Sequence, residues 1–133
     1  MKILVVDDDP IARVIITRIM TRQFEQVQIV ECHNGLEALE RLARGTYAMV
    51  LLDLQMPVMD GFDVLEGLRR VPATATVPVI VMTGGKDETT IRRLLSFGIT
   101  DCILKPVRPT QLCSRASRLL AKIAPEQANA QHA

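Results

Sequence analysis

Asp7-Asp8, Asp53, Thr83 and Lys105 each follow directly on a run of apolar residues. The runs are Ile3-Leu4-Val5-Val6, Met49-Val50-Leu51-Leu52, Val79-Ile80-Val81-Met82 and Cys102-Ile103-Leu104. Short apolar runs bounded by turn residues read as strands buried on both faces, the pattern of parallel sheets. An ionised carboxylate where such a strand leaves the core needs a charge partner or a task. Several carboxylates in one cleft would repel, by about 4 kcal/mol per pair about 4 Å apart at an effective dielectric of about 20. A divalent cation removes that conflict, and oxygen-only ligands suit Mg²⁺. Lys105 adds a point charge that can pair with Asp53 or with a phosphoryl oxygen, and Thr83 adds a hydroxyl donor. A positioned nucleophile, a metal and donors for the equatorial oxygens are what phosphoryl transfer requires. Asp53 is therefore read as a nucleophile that accepts a phosphoryl group.

The rest of the chain supplies elements to hold these residues. A helical pattern opens at Pro10 and runs to about Gln23, with Ile11, Val14, Ile15, Ile19 and Met20 on or near one face. Asp9 suits its N-cap and Pro10 its first turn. Val27 to Cys32 reads as a second strand, and Gly35 to Ala43 as a second helix. Further helices are expected over Gly61–Arg70, Glu88–Phe97 and Pro109–Ala124, the last with Leu112, Ala116, Leu119, Leu120 and Ile123 inward. Gly98 suits a left-handed helix stop, and residues 72–78 read as a surface loop. Five strands alternating with five helices predict an α/β fold, a doubly wound parallel sheet with helices on both faces. All strands of such a sheet point one way, so the four polar strand ends share one edge, where open α/β sheets bind ligands.

Composition excludes several classes. One domain is expected over residues 1–124, followed by a fraying polar tail over 125–133. A net charge of +1 argues against bulk electrostatic binding to nucleic acid or membranes, and no apolar run approaches a membrane span. With 3% aromatics and no Trp, stacking platforms for single strands are not expected. Cys32, Cys102 and Cys113 are odd in number and lack metal-ligand spacing, which suggests reduced thiols and a cytoplasmic location.

These motifs carry a family likeness. From Lys2 to about Ala124 the chain resembles the receiver domain of two-component response regulators. The matching pieces are Ile3-Leu4-Val5-Val6-Asp7-Asp8, the block from Leu51 to Gly61, Val81-Met82-Thr83-Gly84, and Gly98 to Pro106. The resemblance implies a flavodoxin-like five-stranded sheet in the order 2-1-3-4-5, with the first and third strands adjacent. It implies that Asp53 takes a phosphoryl group from a phosphohistidine on a histidine kinase or histidine phosphotransferase. Asp8 and Asp53 would ligate Mg²⁺ directly, Asp7 through a metal-bound water, and the main-chain carbonyl of Gln55 would complete the protein ligands. Thr83 and Lys105 would bind phosphoryl oxygens, and the Lys105–Pro106 bond would be cis. Gln55 and Gly85 would flank the approach of the hydrolytic water. A downstream protein effector would read the fourth helix, fifth strand and fifth helix. Such a domain promotes transfer to, and hydrolysis from, its own aspartate and is not a free-standing enzyme.

Three positions depart from the family pattern. Cys102 stands where most receivers carry Tyr or Phe, and Phe97 and Ile99 replace small residues beside Gly98. The expectation is that switching runs through the Gly84-Gly85 loop, with Cys102 filling space. His33 and His132 are expected to be solvated, as are Arg115, Arg118 and Lys122 on the last helix, with a partner surface as the alternative for those three. An aspartyl-nucleophile phosphatase is disfavoured because Gln55 stands where its second acid belongs. A degenerate receiver acting only as a protein-binding module is the alternative that the intact set Asp7, Asp8, Asp53, Thr83 and Lys105 opposes.

Overall fold

The computed structural model describes residues 1–122. Strands β1 (Lys2–Val6), β2 (Gln28–Cys32), β3 (Met49–Asp53), β4 (Val79–Thr83) and β5 (Cys102–Leu104) alternate with helices α1 (Pro10–Gln23), α2 (Gly35–Arg44), α3 (Gly61–Arg70), α4 (Glu88–Ser96) and α5 (Pro109–Leu120). The strands form one sheet in the order β2-β1-β3-β4-β5, and every pairing is parallel. This is the predicted doubly wound arrangement, with β1 and β3 adjacent at the point where the order reverses. The predicted residues 123 and 124 of the last helix, and the tail beyond, lie outside the described residues.

Because successive strand residues point to opposite faces, the apolar runs feed two cores. Leu4, Val6, Val50, Leu52, Val79 and Val81 pack with Ala38, Leu42, Val64, Leu65, Leu68 and Leu94 of α2, α3 and α4. Ile3, Val5, Met49, Leu51, Ile80, Met82 and Ile103 pack with Ile16, Met20, Leu112, Ala116 and Leu119 of α1 and α5. β3 and β4 are buried at every position, Asp53 and Thr83 included.

The inner face of α1 differs from the expected one. Ile16 and Met20 are its buried residues, followed at the same spacing by Phe24, while Ile11, Val14 and Ile15 are exposed. This helix has apolar residues around much of its circumference, so periodicity alone does not choose a face. Packing against the sheet and α5 does.

Helix ends follow local chemistry. Asp9, Asn34, Asp60 and Asp87 accept hydrogen bonds from first-turn N–H groups as N-caps, and Asp60 with Asp63 forms a capping box. At the end of α4, Gly98 (φ 74°) lets its own N–H reach the Leu95 carbonyl and that of Ile99 reach Leu94. That is a Schellman stop, closed by two buried side chains, Leu94 and Ile99. Helix α4 accordingly ends at Ser96, one residue short of the expected Phe97.

Candidate functional site

The polar strand ends meet at the C-terminal edge of the sheet. Asp7 follows β1 and is fully buried, Asp8 is exposed, Asp53 ends β3 with 1% of its surface exposed, and Thr83 ends β4, also buried. Lys105 follows β5 and bridges the set. Its Nζ lies 3.1 Å from Asp53 Oδ1 and 3.3 Å from Asp7 Oδ2. One carboxylate oxygen each from Asp7, Asp8 and Asp53 lies within 4.8 Å of the others. Three hard oxygen donors brought this close are the ligand type that Mg²⁺ takes, so the chemistry of the donor set fits that ion. All five residues singled out from the sequence are thus placed along one edge, with Lys105 in contact with Asp7 and Asp53, and Asp8 close to both carboxylates.

The loop after β3 is shaped for close approach. Gly61 brings the start of α3 against the end of β3, where a Cβ would stand 2.7 Å from the Asp53 carbonyl oxygen and from Leu54 Cα. Before it, the Met59 N–H bonds to the Pro57 carbonyl at 2.8 Å around Val58, which has φ 69°. This is a γ-turn with positive φ at its centre, a strained form and an unusual place for a β-branched residue. Its Val58 side chain projects fully into solvent. The Lys105–Pro106 bond is cis.

Electrostatics at Asp53 pull both ways. Burial raises its pKa most, the Asp7 charge adds to this, and the Gln55 N–H at 3.1 Å and Lys105 oppose it, leaving it pushed up to about 6. Burial lowers the Lys105 pKa, but the hydrogen bonds and charges of Asp53 and Asp7 outweigh it and leave the ammonium above the ordinary lysine value. The two directions are compatible. Asp53 is nearly enclosed and faces a like charge, whereas the less enclosed Lys105 faces two opposite charges.

Thr83 is held by its own loop. Its hydroxyl donates to the Gly85 carbonyl at 3.0 Å and accepts from the Gly85 N–H at 3.3 Å. The side-chain Oε1 of Gln55 accepts from the Gly84 N–H at 3.1 Å. Gln55 therefore ties the β3–α3 loop to the β4–α4 loop, a link its residue type did not announce. Gly85 has nothing within 4 Å of where a Cβ would stand, so this side of the site is open. Cys102 is buried, and burial raises its thiol pKa against the opposing charges of Lys86 and Arg115.

Several residues do more than the sequence suggested. Arg115 Nη1 lies 3.4 Å from Asp101 Oδ1, and Arg118 bonds to the same buried carboxylate. These two arginines therefore lock α5 to the entrance of β5 rather than only facing solvent. His33 is largely exposed, as expected, but its Nδ1 lies 2.6 Å from Glu37 Oε2. His132 lies outside the described residues. Arg13 was not singled out from the sequence, yet its Nη1 donates to the Asp7 carbonyl at 2.7 Å. The only signal for it was a charged residue among apolar ones early in α1. Cys32, Cys102 and Cys113 are free, and no described helix is long and apolar enough to cross a membrane.

Comparison with known proteins agrees with this geometry. The family described as response regulator receiver domain matches residues 3–117. The cyclic di-GMP phosphodiesterase response regulator RpfG of Xanthomonas campestris is 32% identical over 120 residues; the match takes in 90% of this chain but 32% of that protein's length. The signal receiver domain of a DNA-binding response regulator from Colwellia psychrerythraea is 30% identical with a TM-score of 0.84, covering 92% of this chain and 99% of that one. The receiver domain of a sensor histidine kinase from Pseudomonas aeruginosa, solved with a magnesium ion coordinated in its active site cleft, shares the fold with a TM-score of 0.81 at 23% identity; 91% of this chain and 98% of that one are covered. By fold and by sequence, the chain belongs to the response regulator receiver domains of two-component systems.

Proposed function

We propose that Asp53 accepts a phosphoryl group from a phosphohistidine on a partner histidine kinase or phosphotransferase, and that the modified domain presents an altered surface to a protein effector. The observation that carries this reading is the Asp53 carboxylate, buried at a strand end within 4.8 Å of two other carboxylates and 3.1 Å from a lysine ammonium. One Asp53 oxygen would form the new P–O bond as the P–N bond breaks, and the imidazole would leave with that bond's electron pair and a proton. With its pKa at about 6, Asp53 is mostly ionised near neutral pH and able to attack. Asp7, Asp8, Asp53 and the Gln55 carbonyl would hold Mg²⁺, which supplies charge stabilisation for the phosphoryl oxygens. Lys105 is placed to exchange its carboxylate partners for a phosphoryl oxygen.

The Thr83 hydroxyl can serve the phosphoryl group only by giving up its bond to the Gly85 carbonyl. That exchange would loosen the Gly84-Gly85 loop that Gln55 grips, which supports a loop-borne switch where Cys102 cannot supply a rotating ring. A cavity of about 500 Å³ lined by Asp7, Lys105, Ile11, Ile15, Pro106 and Val107 opens beside the site. Its exposed apolar rim offers the phosphohistidine-bearing partner a place to seat. The effector would read the face formed by α4, β5 and α5.

The test is exposure of the whole chain to acetyl phosphate or beryllofluoride with and without Mg²⁺, followed by intact mass and by amide spectra. The expected outcome is Mg²⁺-dependent gain of one phosphoryl group, absent in Asp53→Asn, with spectral change at Gly84 and Gly85. No response in either condition would leave the protein-binding module as the better reading.

A further inference from the structure

Arg13 stands on the first full turn of α1 with its side chain 17% exposed. Its Nη1 donates to the main-chain carbonyl of Asp7 at 2.7 Å and its Nε to Glu31 Oε1, on β2, at 3.3 Å. One guanidinium thus braces α1, the end of β1 and β2 against one another. The fork geometry of arginine allows both bonds at once; a lysine ammonium on its single stem does not reproduce it.

The gripped carbonyl matters because a peptide group is planar. The Asp7 carbonyl and the N–H and Cα of Asp8 form one rigid unit, so holding the oxygen fixes the direction in which Asp8 leaves the strand. Asp7 is pinned by further bonds. Its N–H donates to the Cys32 carbonyl at 3.1 Å, its Oδ1 accepts from the Asp9 N–H at 2.9 Å, and its Oδ2 accepts from Lys105 at 3.3 Å. The exposed Asp8 carboxylate has no hydrogen bond to any of the described residues, so its aim depends on the backbone beneath it.

We infer that Arg13 is a positioning residue for the divalent cation, setting Mg²⁺ affinity by holding the Asp7–Asp8 peptide. The inference rests on the receiver reading for the presence of the cation. Two effects of opposite sign meet at this residue. A nearby positive charge repels Mg²⁺, so removing it on electrostatic grounds alone would tighten binding. Loss of the brace would weaken binding, and the pairing of Arg13 with Glu31 offsets much of the repulsion. The geometry points to the brace as the larger effect.

Titration calorimetry of Mg²⁺ into the chelator-treated chain separates them. Arg13→Met, which removes brace and charge together, is expected to weaken Mg²⁺ binding about tenfold, the low end of the range for partners that orient metal ligands. Arg13→Lys keeps the charge and loses the fork; a charge-only account predicts no change, and the brace predicts a smaller loss in the same direction. In both variants, phosphorylation by acetyl phosphate is expected to need proportionally more Mg²⁺ for its half-maximal rate and to reach the parental rate at saturation. A merely structural role would instead lower the saturating rate. If Arg13→Met does not fold, Arg13→Lys decides alone. Parental or tighter Mg²⁺ binding in Arg13→Lys overturns the inference and leaves the receiver reading intact. Failure of the parent chain to bind Mg²⁺ takes both down.

Discussion

Asp53 carries its negative charge in a place that discourages it, and the consequence is measurable. Burial and the neighbouring Asp7 raise its pKa to about 6, against about 3.9 for an aspartate in an unfolded chain. A carboxyl group raised in the folded state binds its proton more tightly there. Its contribution to stability is complete below about pH 4 and is lost as pH rises through about 6. At pH 7 the ionised group is a burden, of order 1–3 kcal/mol at about 1.4 kcal/mol per pKa unit, with its contact to Lys105 already counted in that shift. Asp53→Asn is therefore expected to stabilise the Mg²⁺-free protein at pH 7 and to give no gain at pH 4. Urea unfolding of both proteins in chelator at the two pH values checks this. A variant less stable than the parent at pH 7 would contradict it. The residue proposed for chemistry is then also a residue the fold tolerates at a cost, as expected when a site is selected for reactivity.

At the scale of elements, α4 is the least anchored helix at this edge. Its single buried residue is Leu94, whereas α3 buries Gly61, Val64, Leu65 and Leu68, and α5 buries Leu112, Ala116, Leu119 and Leu120. Arg93 over the Phe62 ring at 4.0 Å ties it to α3, as does the Phe97 that caps it, with ring centroids 6.3 Å from Phe62 and its carbonyl 3.2 Å from Arg69 Nε. One buried leucine contributes about 1.5–3 kcal/mol, less than the four buried residues of α3 or of α5 supply. Native-state hydrogen exchange is expected to show α4 amides exchanging ahead of those in α3 and α5. Leu94→Ala, at a cost of about 2–5 kcal/mol, is expected to widen that gap. Equal protection of α4 and α5 in the parent would refute the ranking. The sequence made α4 legible as a helix, with cap and stop, but not as a loosely held one. Ile91, Leu94 and Leu95 are alike in type, and only packing shows that Leu94 alone goes inside. The same ambiguity displaced the inner face of α1, whereas β1, β3 and β4 were legible because runs buried on both faces leave no face to choose. Within the site, Asp7, Asp8, Asp53, Thr83 and Lys105 were readable because each breaks an apolar run. Arg13 and the Gln55 side chain were not, because each acts on a main-chain group of another segment.

Across the whole molecule, the parallel sheet gathers at one edge charges that the rest of the fold does not balance. Asp7, Asp8 and Asp53 converge there, and Lys105 is the one ammonium bonded to Asp7 and Asp53 among the described residues. Like charges about 5 Å apart at an effective dielectric of about 20 repel by about 3 kcal/mol, a sizeable part of a domain stability of about 5–15 kcal/mol. A cation bound only by the folded chain returns some of this, by about 2.7 kcal/mol at a concentration of about 100 times its dissociation constant. For a domain of this size that corresponds to a melting-temperature rise of about 10 °C. The rise should depend on pH with a definite sign. Below about pH 6 the folded chain keeps the Asp53 proton, and Mg²⁺ must displace it before using that oxygen. The expected result is a larger Mg²⁺-induced rise at pH 7 than at pH 5, reversal by chelator, and a reduced rise in Asp53→Asn at pH 7. Thermal melts in Mg²⁺ and in Na⁺ at matched ionic strength separate site binding from general screening. Equal rises at the two pH values, or equal effects of the two cations, would mean that the acidic edge is not a shared cation site.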